Sequence, residues 1–176
     1  MKKLLAVLIV CIFASATIAG AAETKVGFVD LQKALQVSAA GMAAKEKIGQ
    51  KVKEYQSVMA AREEELRTLK EELDKQALLL SEESRATKER DFQAKVKDYQ
   101  RFKKDVQEEL QQKDADFTRK ILEELLGVIR EVGEKGGYTV VLEKNESSIL
   151  YADSNINLTD QVVEAYDRQY QQAKTK

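Results

Sequence analysis

Histidine, proline and tryptophan are absent from this 176-residue chain, and cysteine occurs once. That cysteine, Cys11, falls in an N-terminal leader, so a chain that has shed the leader has none. Without Cys or His there is no disulfide framework, no thiolate nucleophile and no Ser-His-Asp triad. Transition-metal sites of the usual nitrogen or sulfur type are closed as well. Paired carboxylates stay open in principle, but 34% of the chain is charged, and acids such as Glu63, Glu64 and Glu65 stand in runs with water on most sides. That is the pattern of a solvated helix face. Gly136-Gly137 follows a helical stretch instead of joining a strand to a helix, so it ends that helix and does not cradle a phosphate. The expectation is a chain without enzymatic activity, catalytic residues, cofactor or metal.

Long apolar runs are also missing. Met1-Lys2-Lys3 supplies a short positive region and Leu4 to Phe13 an apolar run of about ten residues, too short to span a bilayer. Small residues follow, and Ala19-Gly20-Ala21 or Gly20-Ala21-Ala22 fits the small-x-small pattern of a signal peptidase site. Residues 1–22 are therefore expected to be a cleaved signal peptide, with the exported chain beginning at Ala22 or Glu23. A lipoprotein reading of Leu8-Ile9-Val10-Cys11 is the rival; it puts a large Val10 where a small residue is wanted and leaves little apolar run. No later segment is apolar enough to anchor the chain.

The absence of proline has a positive meaning, because nothing must kink or break a long helix. From Ile48 an alternating four-three spacing runs through Val52, Tyr55, Met59, Arg62, Leu66, Leu69, Leu73, Gln76 and Leu80. Only Arg62 and Gln76 are polar, so this is a heptad seam. After Ser81-Glu82-Glu83-Ser84 a second stripe runs through Phe92, Val96, Tyr99, Phe102, Val106, Leu110, Phe117, Ile121, Leu125, Val128 and Val132. Its mean step of about 3.6 residues predicts a nearly straight helix. Helices over Ser38 to Leu80 and Ser84 to Gly133 would reach on the order of 65 and 75 Å. Folded back at Ser81 to Ser84, they make an antiparallel coiled-coil arm over residues 38–133, laced by pairs such as Glu63 with Arg67, Glu71 with Lys75 and Asp116 with Lys120.

The chain ends read differently. Thr24 to Asp30 alternates Val26 and Phe28 with polar or small neighbours, as a strand buried on one face does, and Asp30 is placed to cap a short helix through Leu31 and Leu35. Beyond the glycines, Tyr138 to Glu143 and Ser148 to Ala152 are two β-rich runs joined through Lys144-Asn145-Glu146-Ser147, which predicts a hairpin. A last amphipathic helix starts near Asn157 or Thr159 and carries Val162, Val163, Tyr166 and Tyr170. Asn145-Glu146-Ser147 and Asn157-Leu158-Thr159 match the glycosylation pattern but read as turn and cap chemistry.

The fold class is thus mainly α with a small β-rich body, formed by residues 23–37 and 134–176, from which the hairpin arm projects. A body of roughly 15 plus 43 residues is marginal for a single hydrophobic core. A three-stranded sheet from one chain also leaves an apolar edge open to pairing. Association through Val26, Phe28, Val140, Leu142, Ile149 and Tyr151 would cover that edge, so a homo-oligomer is expected.

An Ala-ending leader, Lys25-Val-Gly-Phe-Val-Asp30, a charged proline-free helical hairpin, Tyr138-Thr-Val-Val-Leu-Glu143, Ile149-Leu-Tyr-Ala152 and Asn157-Leu-Thr-Asp-Gln-Val-Val163 follow one another in this chain. In that order and spacing they resemble the Skp (OmpH) family of periplasmic chaperones. The resemblance implies a jellyfish-like homotrimer in which a small β-rich body carries three helical arms around a cavity. It also implies a periplasmic location and partners that are unfolded outer-membrane β-barrel proteins, held without ATP during transit.

Charge departs from the best-known members, which are markedly basic. Here residues 38–133 carry 20 Lys plus Arg against 21 Asp plus Glu, and a near-neutral arm has no large positive field. A local patch survives where Lys97, Arg101 and Lys104 share a helical face; it is either a solvated stretch beside Asp98 and Asp105 or a weak contact for anionic envelope lipid. No lipopolysaccharide site is carried over, and nothing marks a nucleic-acid partner. Client contact needs apolar surface that the arm does not use itself. Met42, Val58, Leu78 and Leu79 fall off the first seam and are the candidates, with packing at the tip and base of the arm as the plainer reading. Two function classes follow: an ATP-independent holdase, or a structural or adaptor coiled-coil protein of the cell envelope.

Overall fold

The computed structural model describes residues 24–76 and 79–175. The expected signal peptide and Leu78 lie outside them. In chain order the elements are β1 (Val26–Val29), α1 (Leu31–Val37), α2 (Ala39–Gln76), α3 (Glu82–Gly136), β2 (Val140–Glu143), a 3-10 turn (Ser154–Ile156) and α4 (Thr159–Lys174).

β1 and β2 pair in parallel, with Val26 opposite Val140 and Phe28 opposite Leu142. Parallel neighbours cannot be closed by a tight turn and need a long crossover. Here α1, α2 and α3 together are that crossover. The other edge of β1 carries one parallel bridge from Phe28 to Asn157, and the Leu158 amide donates to the Phe28 carbonyl at 2.8 Å. β1 is thus flanked by β2 on one edge and by this single bridge on the other, and it buries both faces, which corrects the expectation that it buries one. Phe28 and Val29 point to opposite faces, and both are buried.

The expected hairpin from Tyr138 to Ala152 does not form. The Lys144 amide still donates to the Val29 carbonyl at 2.9 Å, and the Glu143 carboxylate then accepts from the amides of Asn145 and Glu146. Those bonds draw the chain into a turn, and Ser148 takes a positive φ of 50°. Ile149 to Ala152, read from sequence as a strand, have no regular structure. Asn145 to Ser147 do lie in this turn, and at the second glycosylation-like triplet the Asn157 carboxamide oxygen accepts from the Thr159 amide at 2.9 Å.

Local chemistry explains the other boundaries. Asp30 caps α1 by accepting from the Lys33 amide at 2.8 Å. The join from α1 to α2 is tight: the Ser38 amide donates to the Ala34 carbonyl at 3.1 Å, and the Asp167 carboxylate of α4 accepts from the Ala39 amide at 2.8 Å. Gly41 is required there, because a Cβ at that position would stand 1.8 Å from the Leu35 carbonyl oxygen. Ser81 caps α3, so this helix starts two residues before the expected Ser84. It runs on to Gly136, where Gly137 adopts the left-handed conformation (φ 66°) and the Tyr138 amide donates to the Gly133 carbonyl at 2.9 Å.

The core gathers Val29, Ala34, Ala40, Ile121, Leu125, Val128, Val132, Leu158, Val162 and Tyr166. It sits at one end of the long helices, where α1, α4, the strands and the last turns of α3 meet. Tyr166 donates to the Glu124 carboxylate, tying α4 to α3, and burial first, then that bond, pushes its phenol well above the ordinary range. No described helix is long and apolar enough to cross a membrane.

Asp30 provides a direct check on this end of the molecule. The Lys33 amide, assisted by the Lys144 ammonium at 3.1 Å, holds its carboxyl below the usual aspartate value. A depressed folded-state value gives stability that is present above the unfolded aspartate pKa of about 3.9 and is lost as pH falls through the lower folded value. Asp30→Ala should cost about 1 kcal/mol at pH 7 in a denaturant titration. That deficit should shrink as the pH is lowered below about 4; a deficit that does not change with pH would contradict the capping account.

Candidate functional site

Away from the core, α2 and α3 cover each other alone. Arg62 lies over the Phe102 ring at 4.1 Å and Tyr55 meets the same ring edge-on at 6.2 Å between centroids. Lys95 pairs with Glu65 at 2.6 Å, Lys88 donates to the Gln76 side chain at 2.8 Å, and Tyr55 donates to Glu109 at 2.6 Å. Partner numbers fall on α3 as they rise on α2, so the two helices run in opposite directions side by side.

From Ile48 to Leu80 every seam position is half-buried and none is buried. A seam facing one partner helix has water along both flanks, whereas a third element would close one of them. Polar side chains partly cover the gap. Tyr99 donates to Glu63, which holds the Tyr99 phenol above its ordinary value, and the Glu109 bond does the same for Tyr55. Lys95 lowers the Glu65 carboxyl in turn. Because Glu63 reaches across to Tyr99, Arg67 pairs with Glu64 at 2.6 Å instead of with Glu63. Asp116 likewise pairs with Arg119 at 2.7 Å, and Lys120 turns to Glu124 at 4.0 Å, while Glu71 and Lys75 meet at 3.8 Å. All are exposed, and such pairs contribute a few tenths of a kcal/mol each.

The apolar candidates divide between the two flanks. Val58 is 36% and Leu79 86% exposed; Val58, one heptad before Glu65, stands on the flank where Glu65 meets Lys95, whereas Leu79 lies in the turn beyond the end of α2 at Gln76. Met42, 56% exposed, stands on the opposite flank, three heptads before Glu63. Near it lies a hollow of about 410 Å³ that includes Val37, Gly41, Lys45 and Phe117. Leu78 lies outside the described residues.

Of the basic trio, Arg101 is paired with Asp98 at 3.0 Å and Lys104 with Glu108 at 3.5 Å; Lys97 makes no ion pair among the described residues. Two of the three charges are thus already matched, which favours a solvated face.

At the sheet, Val26 and Leu142 are half-buried, Val140 is exposed and Phe28 is buried within its own chain. Phe28 therefore offers little surface to a second copy. Ile149 is half-buried, Tyr151 is 86% exposed, and Leu150 is fully exposed. Leu150 was missed because strand alternation put Ile149 and Tyr151 on the apolar face. Leu126, 54% exposed, was missed too, since it falls outside the α3 stripe.

A family model described as outer membrane protein (OmpH-like) matches residues 25–166. Among solved structures, the chain superposes on an OmpH-like protein of Caulobacter crescentus CB15, proposed to be an outer membrane chaperone, with a TM-score of 0.78. Identity is 20%, over 85% of this chain and 88% of that one, so this likeness is one of fold. No curated protein matches the chain.

The difference in cover between the two ends of the helices should be visible in amide exchange. Residues 79–88 are exposed apart from the half-buried Leu80, whereas Ile121, Leu125, Val128 and Val132 are buried. Hydrogen exchange should therefore be fastest around 79–88 and slowest from Ile121 to Val132. Equal protection of the two segments would show that the distal turns are packed against something further.

Proposed function

The chain belongs to the OmpH-like outer membrane protein family, and from that membership we propose that it is an ATP-independent holdase of the periplasm. It binds unfolded outer-membrane β-barrel proteins between helical arms and prevents their aggregation in transit. On this reading residues 1–22 are a cleaved signal peptide, residues 38–133 form the arm, and residues 23–37 with 134–176 form the body through which three copies assemble. Leu150 and Tyr151, exposed beside a short two-stranded sheet, are the surface that assembly would cover.

One observation carries the reading: every seam position from Ile48 to Leu80 is only half-covered, and exposed aliphatic groups stand beside that seam at Val58, on one flank, and at Leu79, in the turn. Such a surface makes many weak contacts that tolerate sequence change. An unfolded client presents no fixed shape, so dispersed contacts suit it better than one complementary pocket. Near-neutrality of the arm leaves these apolar contacts, not a long-range positive field, as the main attraction.

Replacing Val58 and Leu79 together by Ser should weaken suppression of client aggregation and leave the assembly's mass unchanged. Each partly covered aliphatic contact contributes at most on the order of 1 kcal/mol, so the pair should cost about tenfold in affinity. Met42→Ser, on the other flank, serves as the comparison. Undiminished protection by the double variant against several unrelated unfolded proteins would overturn the apolar-contact mechanism, and selectivity for one folded partner would favour an adaptor.

A further inference from the structure

Beside the core, on the flank that carries Val58, two adjoining hollows of about 260 and 290 Å³ share Lys47 and Phe117. The first is also lined by Ala43, Ala44, Tyr170, Lys120 and Lys174. The second adds Lys51 and Lys113. Across both, five lysines (Lys47, Lys51, Lys113, Lys120 and Lys174) face two carboxylates, Glu54 and Glu124. The whole chain, by contrast, has 29 basic residues against 30 acidic ones. This is a local positive strip in a molecule with no positive excess.

The cations are unequally matched. Lys51 meets Glu54 at 2.7 Å, and Lys113 reaches Glu109 at 3.6 Å. Lys120 stands 4.0 Å from Glu124, whose carboxylate also accepts from Tyr166. Lys47 and Lys174 have no carboxylate within ion-pair distance among the described residues. They lie over aromatic rings instead, 5.9 Å from the centre of Phe117 and 4.6 Å from that of Tyr170. A ring face orients an ammonium without neutralising it. Each therefore stays open to an incoming anion, beside the half-buried carbon of Phe117, Tyr170 and Ala44.

We propose that this groove binds an extended peptide segment in which acidic residues alternate with aromatic or aliphatic ones, and that it is the place where the arm base reads its client. The proposal rests on the holdase reading. From Ala40 to Glu54 the groove follows α2 for about 20 Å, the length of roughly six extended residues. Apolar surface and ammonium groups alternate along it, which matches side chains spaced on a peptide. A lipid would need one anion cluster beside a continuous dry slot.

The test uses the purified, assembled protein and two fluorescein-labelled hexapeptides, one alternating aspartate with phenylalanine and one with asparagine in place of aspartate. Fluorescence anisotropy should show the acidic peptide binding about tenfold more tightly, as expected of several exposed charge contacts of up to about 1 kcal/mol each. The triple variant K47Q/K120Q/K174Q should abolish that preference with its thermal melt unchanged, and Ala43→Trp, which fills the groove, should weaken both peptides. Equal affinity for the two peptides, or a preference that survives the triple variant, would overturn the proposal. So would lysine-dependent binding of phosphatidylglycerol vesicles without peptide binding. Aggregation suppression is measured on the same samples. If the parent suppresses aggregation but shows no peptide preference, the groove alone is wrong; if it suppresses nothing, the holdase reading fails and the peptides alone judge the groove.

Discussion

Two short strands that lie side by side in parallel cannot be joined by a tight turn, because the chain leaves the C-terminal end of one and must come back to the N-terminal end of the other. Here Val26 faces Val140, and the residues between them have to make that round trip. With no proline to interrupt it, the economical path is one long helix out and one back. The hairpin of α2 and α3 is thus the crossover of a parallel pair, stretched to about 57 and 82 Å of helix. Chain order does the rest, since α1, the sheet and α4 all meet where the two helices begin and end.

Cover is unequal as a consequence. At the base, Ile121, Leu125, Val128 and Val132 are enclosed by α1, α4 and the sheet, and the core forms there. Further out, the same apolar period continues with only one partner helix, so Leu66, Leu69, Leu73 and Phe92 stay half-buried. A long seam in which only Val106 is buried beyond the core costs stability, and the hydrogen bonds from Tyr55 and Tyr99 to carboxylates offset only part of that. The same incomplete cover leaves apolar groups beside water, ready for an unfolded chain to use. Structure and proposed function share one cause.

Much of this was legible in the sequence because helical period is a strong signal. All ten seam positions from Ile48 to Leu80 have the half-buried status that the spacing implies. Asp30, Gly137 and Asn157 also act as their local chemistry predicts. Pairing was not legible. Tyr138 to Ala152 reads as a hairpin because two β-rich runs flank a turn, yet β2 takes its partner from the far end of the chain, and nothing in the local sequence encodes that choice. The lysine groove was invisible for the same reason, since it depends on residues brought together from distant segments, whereas Gly41 answers to a local turn, the close approach of the Leu35 carbonyl. Of the candidate site, Val58 lies on one flank, Met42 on the other and Leu79 in the turn beyond α2, and the fully exposed Leu150 was overlooked in favour of its neighbours.

The account's central claim is that single chains, each with a body too small to be self-sufficient, assemble so that several half-covered arms share one client. Native mass spectrometry of the purified protein, alone and mixed with a urea-unfolded outer-membrane β-barrel protein, addresses this directly. The account predicts three copies alone and three copies plus one client in the mixture. A monomer that binds client unaided, or an assembly that takes up none, would contradict it.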